Sequence, residues 1–164
     1  MFRTAAILSL FASCSLLGGC VGGRDEKANS RIPSAANTAN QNASAARSNV
    51  EELGLLVKIP YETEDVVWKE FPASKKVVAV LLFTKEIAEK VVADAQTHGA
   101  GQNVTVAAEP WFPDELIAQS EMSGDAALRG TAYPGNAFFL DKYNAGNITR
   151  IEGGDHFVLE LTAR

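Results

Sequence analysis

The sequence predicts an α+β fold: a small, mostly antiparallel sheet of about five strands packed by one main helix over 85–98 and a second short helix over 114–122. Three stretches predict it. Val77-Val78-Ala79-Val80-Leu81-Leu82-Phe83 is an unbroken apolar run rich in β-branched residues, which suits a strand covered on both faces. Ile87, Ala88, Val91, Val92 and Ala95 recur at helical spacing and form one apolar stripe. Gly153-Gly154 separates two strand-like segments, a strong hairpin signal.

Taken in order, the folded domain is expected over 51–164, its packed part beginning near Leu53. Leu55, Val57 and Ile59 alternate with Leu56 and Lys58, which predicts a short strand stopped by Pro60. Val66 to Phe71 predicts a second, with Val66 and Trp68 on one face and Val67 and Lys69 on the other. Pro72-Ala73-Ser74 is a turn, and Val77–Phe83 is the strand on which the sheet is expected to centre. Thr84 can cap the following helix. Lys85, Glu86, Glu89, Lys90 and Asp94 line its polar face, with Glu86 and Lys90 four apart in the favourable order. Gly99 is expected to end it, with His98 in its last turn.

Val104, Val106 and Ala108 then alternate as a strand. Asp114 to about Met122 reads as a short helix with acids in its first turn, broken by Ser123-Gly124-Asp125. Leu128 to Tyr133 predicts a strand ending at Pro134-Gly135. Asn136 to Asn147 shows no clear period. Asn147–Glu152 and His156–Thr162 flank the Gly153-Gly154 turn, with Phe157, Leu159 and Leu161 pointing one way and His156, Val158, Glu160 and Thr162 the other.

The N-terminus is of a different kind. Met1-Phe2-Arg3 carries one positive charge, and the apolar run from Ala5 to Leu17 is too short for a bilayer-spanning helix of about 20 residues. Leu17-Gly18-Gly19-Cys20 follows, with small residues directly before the cysteine. The tetrapeptide resembles a bacterial lipobox, and residues 1–20 resemble a bacterial lipoprotein precursor. That resemblance implies a signal peptide over 1–19, acylation of the Cys20 thiol and membrane anchoring through lipid on Cys20. It also implies an extracytoplasmic location, facing the periplasm from the outer membrane in a Gram-negative cell, since Val21 rather than Asp follows the cysteine.

With Cys14 removed alongside the signal, Cys20 is the only cysteine left, so no disulfide can form in the mature chain. Residues 20–50 are expected to be a tether, because Ser, Ala, Asn and Thr dominate and almost nothing larger than alanine could build a core. As a flexible coil this segment would hold the domain about 30 Å from the membrane. With 46% hydrophobic residues and no second apolar run of membrane-spanning length, one modest domain is the expected count.

Charge is unevenly spread. Residues 51–164 hold ten Lys or Arg against eighteen Asp or Glu, a net of −8, whereas 21–50 carry a net of +2. An acidic domain is repelled by phosphate backbones, so nucleic acid is not expected as a partner.

Motifs for chemistry are sparse, and each has a plainer explanation. Asp141 to Glu152 matches a calcium loop at Gly146, Ile148 and Glu152, but Tyr143 and Ala145 stand where two side-chain ligands belong, so a hairpin arm is expected instead. His98 and His156 are the only histidines, and nothing in their spacing requires zinc. No serine elbow or phosphate loop is present. Glu109, Asp114 and Glu115 could do acid–base work, though acids in a first helical turn commonly serve the helix dipole. No catalytic residue, metal site or cofactor is therefore predicted.

Aromatic and amide side chains outside regular elements remain as candidate partner-binding residues: Trp111, Tyr133, Asn136, Tyr143, Asn144 and Asn147. The expected function is a non-enzymatic binding or assembly module of the cell envelope, with an envelope protein or a small ligand as partner. The alternative is a small extracytoplasmic hydrolase or metal-dependent enzyme assembled from residues distant in sequence, and convergence of His98, His156 and any of Glu109, Asp114 or Asp155 in one pocket would discriminate it. Cys20→Ala should abolish incorporation of labelled palmitate and stop maturation; continued labelling of that variant would rule the lipobox out.

Overall fold

The computed structural model describes residues 45–124 and 126–164. The predicted signal peptide, Cys20 and nearly all of the predicted tether lie outside the described residues. The fold is α+β, with six strands in one antiparallel sheet, one more than expected. In chain order the elements are α1 (Val50–Gly54), β1 (Asp65–Phe71), β2 (Lys76–Leu82), α2 (Lys85–Gln96), β3 (Gln102–Ala107), α3 (Asp114–Ser123), β4 (Ala127–Pro134), β5 (Ala145–Ile151) and β6 (His156–Thr162). The sheet order is β1-β2-β6-β5-β4-β3.

Pro72 starts a single 3-10 turn that returns the chain from β1 to β2, and Lys75 leaves it at φ 50°. In β2 every residue from Val77 to Leu81 is buried, Val77, Ala79 and Leu81 on one face and Val78 and Val80 on the other. It lies second in the sheet, between β1 and β6, so the sheet centres on β6 and β5 rather than on it. Continuous burial of β2 follows from cover on both faces, not from a middle position.

That cover comes from the two long connections. Thr84 caps α2, its hydroxyl accepting from the Ile87 N–H at 3.3 Å. The helix crosses the first face, burying Ala88, Val91 and Ala95 against a core that includes Leu81, Phe157, Leu159 and Ile148. Its last residue is Gln96, with His98 in the turn beyond. After β3 the chain passes to the second face, where Phe112 and Leu116 close over Val80, Val158, Ile151 and Leu128. Gly124, at φ 80°, stops α3, as its position predicted.

Two expectations are corrected. Residues 55–59 do not form a strand. Asn49 accepts from the Glu52 N–H at 3.0 Å and nucleates α1 just upstream, so Leu53 and Val57 reach the core from a helix and the turn after it, while Leu55 is left 79% exposed. The packed unit also begins earlier than residue 51. Arg47 and Trp68 exchange two backbone hydrogen bonds of 2.8 Å, and the Trp68 indole N–H donates to the Asn49 carbonyl at 2.9 Å.

Gly146 fits β5 to β6 at a point no other residue could occupy. Its φ is 135°, and an added Cβ would run into the Glu160 carbonyl. Leu81, fully buried mid-strand, should cost about 2–5 kcal/mol when cut to alanine. Gly146→Ala should cost more than about 2 kcal/mol through strain and clash. Leu55→Ala should stay within about 0.5 kcal/mol. Denaturant melts of the three variants check this order, and a silent Leu81→Ala would place the core elsewhere.

Candidate functional site

The predicted partner-binding residues do not form one surface. Segment 134–144 folds back over the open end of the first face: Phe138 is buried, and its carbonyl accepts from the Lys58 N–H at 3.0 Å. Tyr143 is fully buried there, and its hydroxyl donates to Glu70 Oε1 at 2.6 Å, where Lys142 Nζ also donates at 2.6 Å. Tyr133 belongs to the same core. These tyrosines pack into the first core beside Phe138 and are not free to meet a partner. Asn136, Asn144 and Asn147 are exposed. Trp111 lies on the second face, edge to face with Phe112 at 4.8 Å, its indole nitrogen buried without a hydrogen-bond partner among the described residues.

Two of the depressions among the described residues bear on the readings above. A polar cleft of about 480 Å³ opens between the start of α2, the side of α3 and the β5–β6 turn, lined by Glu64, Lys85, Glu115, Glu152, Asp155 and His156 among others. Asp155 is already engaged by Arg150 at 2.8 Å, and Arg150 also reaches Glu89 of α2 at 2.9 Å. His156 pairs across the sheet with Leu82, just before α2, whereas His98 follows its far end. The helix between them spans roughly 20 Å, at about 1.5 Å per residue. Glu109 and Asp114 line other depressions. His156 lines the polar cleft and His98 does not, so the two histidines do not share it. No group of three or more His, Cys, Asp or Glu able to hold a metal ion is present among the described residues.

The second concavity is a groove of about 330 Å³ on the second face. Val78, Val106, Phe112 and Val158 give it an apolar lining. Phe71 and Ser74 stand at one side, Thr105 and Ala107 at the other, and the Lys76–Glu160 ion pair and Glu109 add charge. β6, β5 and β4 lie between β2 and β3 in the sheet. Laid flat, four strand spacings of about 4.8 Å would hold β2 and β3 about 19 Å apart. Their sharing one groove means that the sheet curls around its second face, and the groove is the gap left between β3 and the β1–β2 turn.

No family model matches the chain, and no curated protein or solved structure matches it. The groove was not legible in the sequence. Val78, Val106, Phe112 and Val158 are ordinary core-type residues, and only the curl of the sheet brings them to one opening.

Titration of two half-buried groups gives a test. Hydrogen bonds from Lys142 and then Tyr143 hold the Glu70 carboxyl below its ordinary value. That stability is present above the ordinary carboxylate range and is lost as pH falls through the lowered folded value. Tyr61, by burial and by donating to Asp94 at 2.9 Å, is pushed up to about 12. Its contribution is present below the ordinary tyrosine value and is lost as pH rises through the folded one. An absorbance titration should show a tyrosine with a midpoint near 12 that vanishes in Tyr61→Phe. Tyr143→Ala should destabilise the domain by about 3–5 kcal/mol, as for other buried aromatic side chains. An unchanged melt would return Tyr143 to the surface.

Proposed function

We propose that this chain is a lipid-anchored, extracytoplasmic binding module of the cell envelope, not an enzyme, and that the groove between β3 and the β1–β2 turn is its binding site. Residues 1–20 support the anchor and the location through their resemblance to a lipoprotein precursor. The groove is the observation that carries the binding role. Its floor is the edge of the second core, where Val78, Val106, Phe112 and Val158 are each no more than 9% exposed, its rim carries exposed Ser74, Thr105 and Glu109, and its volume is at the small end of the range of about 300–1,000 Å³ for ligand sites.

The hydrolase reading rests on the polar cleft, where His156 meets Glu115 and Asp155. Asp155 is held by Arg150, so the histidine shares its cleft with an acid already committed to a structural ion pair. The binding reading is preferred on that ground.

Photoreactive residues placed singly at Thr105 and Ser74, both exposed and on opposite sides of the groove, should capture the same species from the intact envelope. A control at exposed Glu86 should capture none of it. Capture confined to a probe at His156 would move the site to the polar cleft and restore the enzyme reading.

A further inference from the structure

The two edges of the sheet are treated differently. At β1 part of the outward backbone is used: Trp68 exchanges both backbone bonds with Arg47, and the Val66 N–H donates to the Asp65 side chain at 2.8 Å. That strand also carries Asp65, Lys69 and Glu70, charges that discourage a further strand. β3 reads Gln-Asn-Val-Thr-Val-Ala, with no charge and no proline.

The phase of the β3 ladder follows from its end. The Ala108 N–H donates to the Ala126 carbonyl at 3.0 Å, in register with Ala107 facing Ala127. Bonded pairs alternate along an antiparallel ladder, so Gln102, Val104 and Val106 turn their backbone groups to β4. Asn103, Thr105 and Ala107 turn theirs outward. The β5 side gives the same phase, since the Glu152 N–H donates to the Arg129 carbonyl at 2.9 Å. Among the described residues none of these outward groups bonds to another part of the chain. Thr105, Val106 and Ala107 line the groove consecutively. Side chains alternate along a strand, so consecutive lining means that the outward backbone borders the groove.

We propose that β3 and its groove bind an extended polypeptide segment of a partner protein by strand addition. The proposal rests on the groove being the binding site and names what fills it. The segment's backbone pairs with Asn103, Thr105 and Ala107, and the residue opposite Val106 places an apolar side chain over Val78, Phe112 and Val158. Charge selects the partner's character. Glu160 is paired with Lys76, which leaves Glu109 at the rim of a domain with net charge −8 over 51–164. A neutral or basic segment with alternating apolar residues fits, whereas a second copy of this acidic chain is repelled.

The test uses the 15N-labelled full chain and a short capped peptide alternating valine and lysine, with a version N-methylated at alternate amides. The plain peptide should slow hydrogen exchange at Asn103, Thr105 and Ala107 by at least about ten-fold. N-methylation should weaken its binding by at least about ten-fold. Thr105→Pro should abolish the protection while keeping the melting temperature, because its N–H faces outward and not towards β4. If that variant fails to fold, the peptide pair alone decides. Equal binding of the methylated peptide, or protection of these amides by rising protein concentration without peptide, overturns strand addition. A peptide that shifts the Val78, Phe112 and Val158 signals without protecting β3 also overturns it, yet leaves the groove as a binding site. A peptide that moves neither overturns it as well, and the groove then stands or falls on the crosslinks.

Discussion

Burial of β2 on both faces is the constraint from which the rest of the architecture follows. A strand reading Val-Val-Ala-Val-Leu-Leu has no side that water could wet without losing about 25 cal/mol for each Å² left exposed. The chain cannot cover it with one layer. The connection after β2 therefore goes over the first face as α2, and the connection after β3 goes over the second as Phe112 and α3. Sheet order obeys the same demand, since pairing β6 against β2 brings Phe157, Leu159 and Leu161 to one core and Val158 to the other.

Polar contacts then fix how the layers sit. Arg150 of β5 holds Glu89 of α2 and Asp155 of the β5–β6 turn at once, tying helix, strand and hairpin together. Glu70 of β1 takes hydrogen bonds from Lys142 and Tyr143, which binds the long aperiodic segment to the far edge of the sheet. Exposed pairs of this kind contribute little singly. The Tyr143–Glu70 bond differs because its donor is buried, and an unpaired hydroxyl there would carry the full desolvation penalty. With no cysteine among the described residues, packing and these few ties are what hold the fold.

Much of the fold was legible because it is local. The α2 stripe, the break at Gly124 and the β5–β6 hairpin each follow from periodicity or backbone preference within a dozen residues, and the structure places them close to where the sequence did. The misreading at 55–59 has a local cause too: alternation over so short a run fits a strand, but a capping Asn49 upstream committed the chain to a helical turn. Tyr143 was misjudged for the opposite reason. Nothing near it in sequence marks it as core, because its partner, Glu70, lies on a different strand and is joined to it only in three dimensions.

By itself, then, the sequence determined the α+β class, the strand that needs two covers and the helix that supplies one of them. Those features depend on the order of apolar, polar and small residues along a short length of chain. Tertiary structure alone decided which aromatics are core, which edge of the sheet is closed by Arg47 and Asp65, and where the curled sheet leaves a groove beside β3. Curl and edge protection arise from strand order and register, which couple residues far apart in the chain, and no local pattern encodes them.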